Sequence, residues 1–173
     1  LVLSKNIIET KNKDITDSIN YAKKIQDAIL PEDEYISNAL PNSFIFFKPR
    51  DVVSGDFYWF SEQNGLIIIV AADCTGHGVP GALMSMIGTS LLSEIVNHRG
   101  ITNPSEILDN LDSGIQKAFK KYLSEEIENK DGMDISICTI DKPNNKLSYA
   151  GAFRPLIKIR NGAIEEYQGN RFP

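Results

Sequence analysis

The sequence predicts an α+β fold, an antiparallel two-sheet sandwich flanked by helices and preceded by one long N-terminal helix. Three observations predict it. The first thirty residues are polar and contain neither Gly nor Pro. Asn64-Gly65 separates two apolar runs, and Asn-Gly is a strong hairpin signal because both residues tolerate positive φ. Two consecutive helical patterns then precede a second group of short strands, an order that fits antiparallel sheets and not a doubly wound parallel one.

Within the first segment, Ile8, Ile15, Ala22 and Ile29 recur every seven residues, with Ile19 in the complementary register. Residues 1–30 therefore read as a coiled-coil-like linker that forms a homodimer. Asn12 and Gln26 share the heptad position of Ile19, where polar side chains fix register and dimeric state. The alternative is an amphipathic helix lying on its own domain. Pro31 stops the helix, leaving residues 31–173 as the main domain.

Strands are expected at residues 43–48, 55–61 and 66–73. Pro80 opens a helix in which Leu83, Ile87, Leu91 and Ile95 form an apolar stripe ending near Gly100. Asn103-Pro104 starts another, with Ile107, Leu108, Leu111, Ile115 and Phe119 turned to the core. After the charged stretch 124–130, strands are expected at 133–140, 146–150, 155–160 and 163–168, joined by turns at Pro143-Asn144-Asn145 and Asn161-Gly162.

The chain has 173 residues, 42% of them hydrophobic and 24% charged, enough for one globular domain plus an appendage. A net charge of -5 argues against nucleic acid or an anionic membrane as partner and favours a cationic cofactor. Cys74 and Cys138 form no CxxC pair, so neither zinc nor a disulfide framework is signalled and a reducing cytoplasm is expected. Apolar runs such as residues 66–72 fall well short of the roughly 20 residues of a spanning helix. The chain starts at Leu1 without Met, which suggests a piece of a longer protein whose upstream segments could attach it to a membrane.

The hairpin has a geometric consequence. With Asn64 and Gly65 as its loop, Gln63 faces Leu66, and the same register carries Asp56 opposite Asp73. Their Cβ atoms are then roughly 5 Å apart on one face, where like charges destabilise a sheet unless a cation cancels them. Tyr58 and Ala71 form the next pair on that face. Ser54-Gly55 precedes Asp56 and Cys74-Thr75-Gly76-His77-Gly78 follows Asp73, so the backbone can approach an ion or a phosphate closely, at Gly76 for example. That loop feeds the N-terminus of the Pro80 helix, which favours an anion. Hard oxygen donors without a Cys or His cluster indicate Mg²⁺ or Mn²⁺, and two such ions beside a phosphate could activate water for in-line attack. His77 at the loop apex is a candidate general acid. A strand-end Asp before a Gly-rich loop is otherwise a common helix cap or turn former.

Three segments carry a resemblance: Pro49-Arg50-Asp51-Val52-Val53-Ser54-Gly55-Asp56-Phe57-Tyr58-Trp59, Ala72-Asp73-Cys74-Thr75-Gly76-His77-Gly78-Val79-Pro80-Gly81-Ala82 and Tyr149-Ala150-Gly151-Ala152-Phe153-Arg154-Pro155-Leu156. They resemble the SpoIIE branch of the protein phosphatase 2C family, from about Tyr21 to Pro173. The resemblance implies a serine/threonine phosphoprotein phosphatase with a binuclear Mn²⁺/Mg²⁺ centre, Asp56 and Asp73 as ligands and the backbone carbonyl of Cys74 as another. It implies a small phosphoprotein substrate such as an anti-sigma-factor antagonist, and a sensor domain upstream of the N-terminal helix. Members of the family continue past the equivalent of Pro173 into an Asp-Gly and an Asp-Asp motif that complete the centre, so this chain alone is expected to be weakly active or inactive.

Other residues take lesser roles. Asp134, in Asp131-Gly132-Met133-Asp134, reads as a strand-start or outer-sphere residue and not as a direct ligand. Arg154 stands in a segment that reads AGHNPP in many relatives and changes the charge of the cleft. Arg50 is a candidate for substrate phosphate, with an ion pair to Asp51 as the alternative. His98, Met84, Met86 and Trp59 read as structural. Two further readings compete: a catalytically silent dimeric signalling module of the same fold, and a nucleotide-binding lid at Gly76-His77-Gly78, which the absence of a Walker-type or dinucleotide motif disfavours.

Overall fold

The computed structural model describes residues 2–120 and 132–170. Helix α1 (Val2–Ile29) leads through a short α2 (Asp33–Ala39) to the hairpin of β1 (Phe57–Gln63) and β2 (Leu66–Cys74). Helix α3 (Gly78–Leu92) continues into a π-helical turn, Ser93–His98, and is followed by α4 (Pro104–Lys120). Strands β3 (Met133–Asp141), β4 (Lys146–Ala152), β5 (Leu156–Arg160) and β6 (Ala163–Tyr167) close the order. β1 to β4 form one antiparallel sheet in sequence order, and β5 with β6 forms a separate two-stranded sheet. The α+β reading therefore holds, with the helices α3 and α4 on one face of the larger sheet. The charged stretch 124–130 and Asp131 lie outside the described residues.

Alternation sorts the hairpin's side chains. Phe57, Trp59, Ile68 and Val70 point to α3 and α4 and join the main core with Leu92, Ile107, Leu111 and Ile137. Trp59 packs there as expected, its Nε1 donating to the Ser93 hydroxyl at 3.4 Å. The opposite face carries Tyr58, Phe60, Ile67 and Ile69, with Ile36 of α2 packed against it. Asn64 and Gly65 adopt φ of 53° and 78°, the positive pair that a two-residue hairpin turn requires.

The structure corrects three expectations. Residues 43–48 belong to no ladder; Phe47 stacks edge-on against Tyr58 at 5.4 Å, while Phe44 and Phe46 are exposed. β-propensity alone does not make a strand without a partner edge. In α3 the expected stripe holds only at its C-terminal end: Ile95 is buried in the core and Leu91 packs against it, but Leu83 is exposed, and the helix instead buries Gly81, Ala82, Met84, Ser85, Gly88, Thr89 and Leu92. The helix lies so close to the sheet that a Cβ on Gly88 would sit 2.9 Å from the Phe57 ring, which leaves space for small residues only. The segment Gly78–His98 is long and apolar enough to span a bilayer, yet half of it is buried inside this fold.

The third correction concerns Gln26, expected at a coiled-coil position. It is 5% exposed and clasps its own domain: its Nε2 donates to the Ser54 carbonyl at 2.6 Å and to the Ser85 hydroxyl at 2.9 Å, and its Oε1 accepts from the Ser54 amide at 2.9 Å. Gln26→Leu is expected to lower stability by about 1–3 kcal/mol, because a buried amide loses its acceptor. The check is a lower denaturant midpoint at unchanged slope. Further up α1, Ile8 and Ile15 are 59% and 57% exposed.

Candidate functional site

The ladder of β1 and β2 runs from Gln63↔Leu66 to Phe57↔Ala72. Asp56 is the next residue out and meets Asp73, as the hairpin register requires. Burial raises the pKa of Asp56, and a hydrogen bond with the Asp73 carboxyl and its charge raise it further, against a smaller opposing pull from Arg154. A carboxylic acid whose folded pKa exceeds its unfolded one contributes stability at low pH that is lost as pH rises above the ordinary carboxylate range. The ionised pair is therefore a local cost that a cation bound there would offset.

The sheet adds a third acid. Asp73 pairs with Asp134 across β2 and β3, so Asp56, Asp73 and Asp134 stand in a row along one sheet end. They rim an open hollow of about 780 Å³ on the face away from α3 and α4, lined also by Tyr58, Phe46 and Arg154. Asp134 is joined to the pair through Arg154. Its Oδ2 faces Arg154 Nε at 3.4 Å, and Arg154 Nη2 donates to Asp73 Oδ2. The Arg154 expected to change the charge of the cleft thus spans two of its acids.

Glycine spacing shapes the loop after β2. A Cβ on Gly55 would lie 2.9 Å from the Gly76 carbonyl and 3.2 Å from the Cys74 carbonyl, and one on Gly81 would lie 2.6 Å from the Gly76 carbonyl. Only glycines let the segment before Asp56, the loop and the first turn of α3 meet at this distance. Thr75 ties the loop to β3, its amide donating to the Gly132 carbonyl at 2.9 Å and the Gly132 amide donating to its hydroxyl at 3.0 Å. The Cys74 thiol is buried and its pKa is pushed up to about 12, first by burial and then by Asp73 and Asp56. Sulfur ligation is disfavoured there, and the backbone carbonyl is the donor Cys74 can offer.

His77 sits at the exposed loop apex as the N-cap of α3, in an extended conformation that spends no side-chain bond on the helix amides. Its Nδ1 lies 3.2 Å from Asp51 Oδ2. Asp51, the alternative partner for Arg50, is committed to His77, and Arg50 is exposed. Sequence reasoning misses the links to Asp51 and Gln26 and the pairing of Asp134 with Asp73. The one signal for Asp51 is its proximity to Asp56 in the same motif.

Asp56 and Asp73 provide hard, anionic oxygens on adjacent strands beside the Cys74 carbonyl, a donor set that suits Mg²⁺ or Mn²⁺. Among the described residues, no group of three or more His, Cys, Asp or Glu side chains converges on one point. The acids present fit two ligands of such a centre and not a full coordination sphere.

Known proteins resemble this chain in sequence and in fold. Residues 63–171 match the family model described as Stage II sporulation protein E (SpoIIE). The chain belongs to the SpoIIE family. It is 33% identical over 106 residues to the phosphoserine phosphatase RsbU of Bacillus subtilis, covering 61% of this chain and 30% of RsbU. It superposes on the SiaA-PP2C domain of Pseudomonas aeruginosa with a TM-score of 0.79 and 35% identity, over 93% of this chain and 63% of that one. The structure of the RsbU and RsbW domains of Rv1364c from Mycobacterium tuberculosis matches with a TM-score of 0.52 at 18% identity, over 70% of this chain and 32% of that one, a likeness of fold alone. The fold is thus PP2C-like, and the chain spans under two thirds of the length of these relatives. Phosphatases of this kind are generally metal-dependent, in keeping with the acidic sheet end.

Proposed function

We propose that this SpoIIE-family domain, within its parent protein, hydrolyses phosphoserine or phosphothreonine on a small regulatory phosphoprotein such as an anti-sigma-factor antagonist. The observation that carries the reading is the meeting of Asp56 and Asp73 at the sheet end, beside the His77 loop and the N-terminus of α3. Asp56, Asp73 and the Cys74 carbonyl would hold Mn²⁺ or Mg²⁺, as part of a binuclear centre in the complete domain. When bound, such ions polarise the phosphoryl group and supply hydroxide near neutral pH.

The remaining work falls to the chain's own groups. The amides at the start of α3 and the nearby Gly76 backbone favour the phosphoryl oxygens. Arg154, on the rim of the hollow, and exposed Arg50 supply positive charge for the same oxygens. Asp51 holds His77 through Nδ1, leaving Nε2 to give a proton to the departing seryl or threonyl oxygen. Turnover of a phosphoserine peptide by the parent protein with Mn²⁺ tests the reading. Phosphate release should require the metal, and a complete protein inert towards phosphoserine and phosphothreonine peptides would leave the silent-module reading in its place.

The exposed Ile8 and Ile15 on α1 support a homodimer through the N-terminal helix, connected in the parent to an upstream sensor. Free Cys74 and Cys138 accord with a reducing cytoplasm. Light-scattering mass with and without residues 1–18, which leaves the Gln26 clasp in place, should change from dimer to monomer; two monomers would refute the dimer.

A further inference from the structure

Arg154 and a divalent cation seek the same oxygen. The Arg154 guanidinium donates through Nη2 to Asp73 Oδ2 and approaches Asp134 Oδ2 with Nε, bridging two acids paired across β2 and β3. An exposed ion pair formed by a wandering side chain would carry no such meaning, but the backbone here is fixed. Phe153, the preceding residue, has φ of 60°, a conformation that a bulky residue rarely adopts and that points to a functional constraint. Its amide donates to the Asn170 carbonyl at 2.9 Å, and the Arg154 amide donates to the Ala152 carbonyl at 2.8 Å. The Arg154 carbonyl accepts from the Tyr149 hydroxyl and, at 3.4 Å, from the Ser136 hydroxyl. A Cβ on Gly151 would lie 2.6 Å from that carbonyl and one on Gly169 3.0 Å from it, so two glycines close the turn around it.

The turn therefore presents a cation to Asp73 from a rigid base, while the half-exposed side chain keeps the freedom to leave. We propose that Arg154 is an internal competitor for Asp73, which a divalent cation must displace on binding, with Asp134 keeping the displaced guanidinium at the rim. The inference rests on the reading of Asp56 and Asp73 as cation ligands. It makes metal loading adjustable: anything that draws Arg154 outward, including an anionic substrate group, strengthens the hold on the cation.

Calorimetric titration of Mn²⁺ into the parent protein, at fixed pH and ionic strength, tests it on the wild type, Arg154→Gln and Arg154→Lys. Removing an exposed competing pair should tighten Mn²⁺ binding by about three- to five-fold in Arg154→Gln. Arg154→Lys should fall between, because an ammonium cannot span both acids as the fork does. Equal or weaker binding by Arg154→Gln, beside a wild type that binds, overturns the displacement alone. A lysine variant equal to the wild type beside a tighter glutamine variant also overturns it, because net charge and not the bridge would then be responsible. Absence of Mn²⁺ binding in all three overturns the cation reading as well. Should Arg154→Gln fail to fold, Arg154→Lys against the wild type decides.

Discussion

Asp73→Asn in the parent protein is expected to lower phosphate release from a phosphoserine peptide by about a thousand-fold or more. The replacement keeps the shape of the side chain but turns one hard anionic oxygen into an amide nitrogen that cannot ligate a cation. Lewis-acid stabilisation contributes several kcal/mol to such reactions, and each 1.36 kcal/mol is a factor of ten in rate. Folding should move little. Asp73 faces Asp56 on one side and Asp134 on the other, so losing its charge relieves like-charge repulsion while giving up its exposed pair with Arg154. Steady-state turnover with Mn²⁺ and thermal unfolding of the same preparation separate the two effects. Unchanged turnover would remove Asp73 from the mechanism, and a collapse of both would reassign it to folding.

The second large effect concerns His77. If its Nε2 protonates the departing oxygen, His77→Gln should slow phosphoserine hydrolysis by about 10²–10⁴-fold, the usual worth of a general acid. p-Nitrophenyl phosphate should be spared, because its phenolate leaves without a proton. Asp51→Asn should show the same substrate dependence at smaller size, since Asp51 only holds the ring through Nδ1. Equal losses on both substrates would assign His77 to the loop's conformation and not to proton transfer.

Local chemistry makes part of this site legible in the sequence. A two-residue Asn-Gly turn sets its own register, so the meeting of Asp56 with Asp73 follows from neighbours along the chain. The pairing of Asp73 with Asp134 does not, because two helices separate β2 from β3 and no local rule sets a register across that distance. Helix α4 is legible because its apolar residues are large, periodic and preceded by Asn103, whose side chain accepts from the Ser105 amide at 3.0 Å. Helix α3 misleads for a physical reason: close approach to the sheet buries Gly81, Ser85 and Gly88, and a search for large apolar residues passes over small ones. Gln26 misleads similarly. Its polarity and heptad position suit a dimer seam, whereas the amide and carbonyl of Ser54 need a partner within the domain.

Asp56 and Asp73 are proposed to act as one cation-binding unit. Mn²⁺ calorimetry on the parent protein with Asp56→Asn, Asp73→Asn and the double variant tests it most directly. Each single change should remove most of the binding seen in the wild type, and the double variant should be no worse than either, as residues acting through one ion are non-additive. Single variants that bind Mn²⁺ as the wild type does would contradict the account.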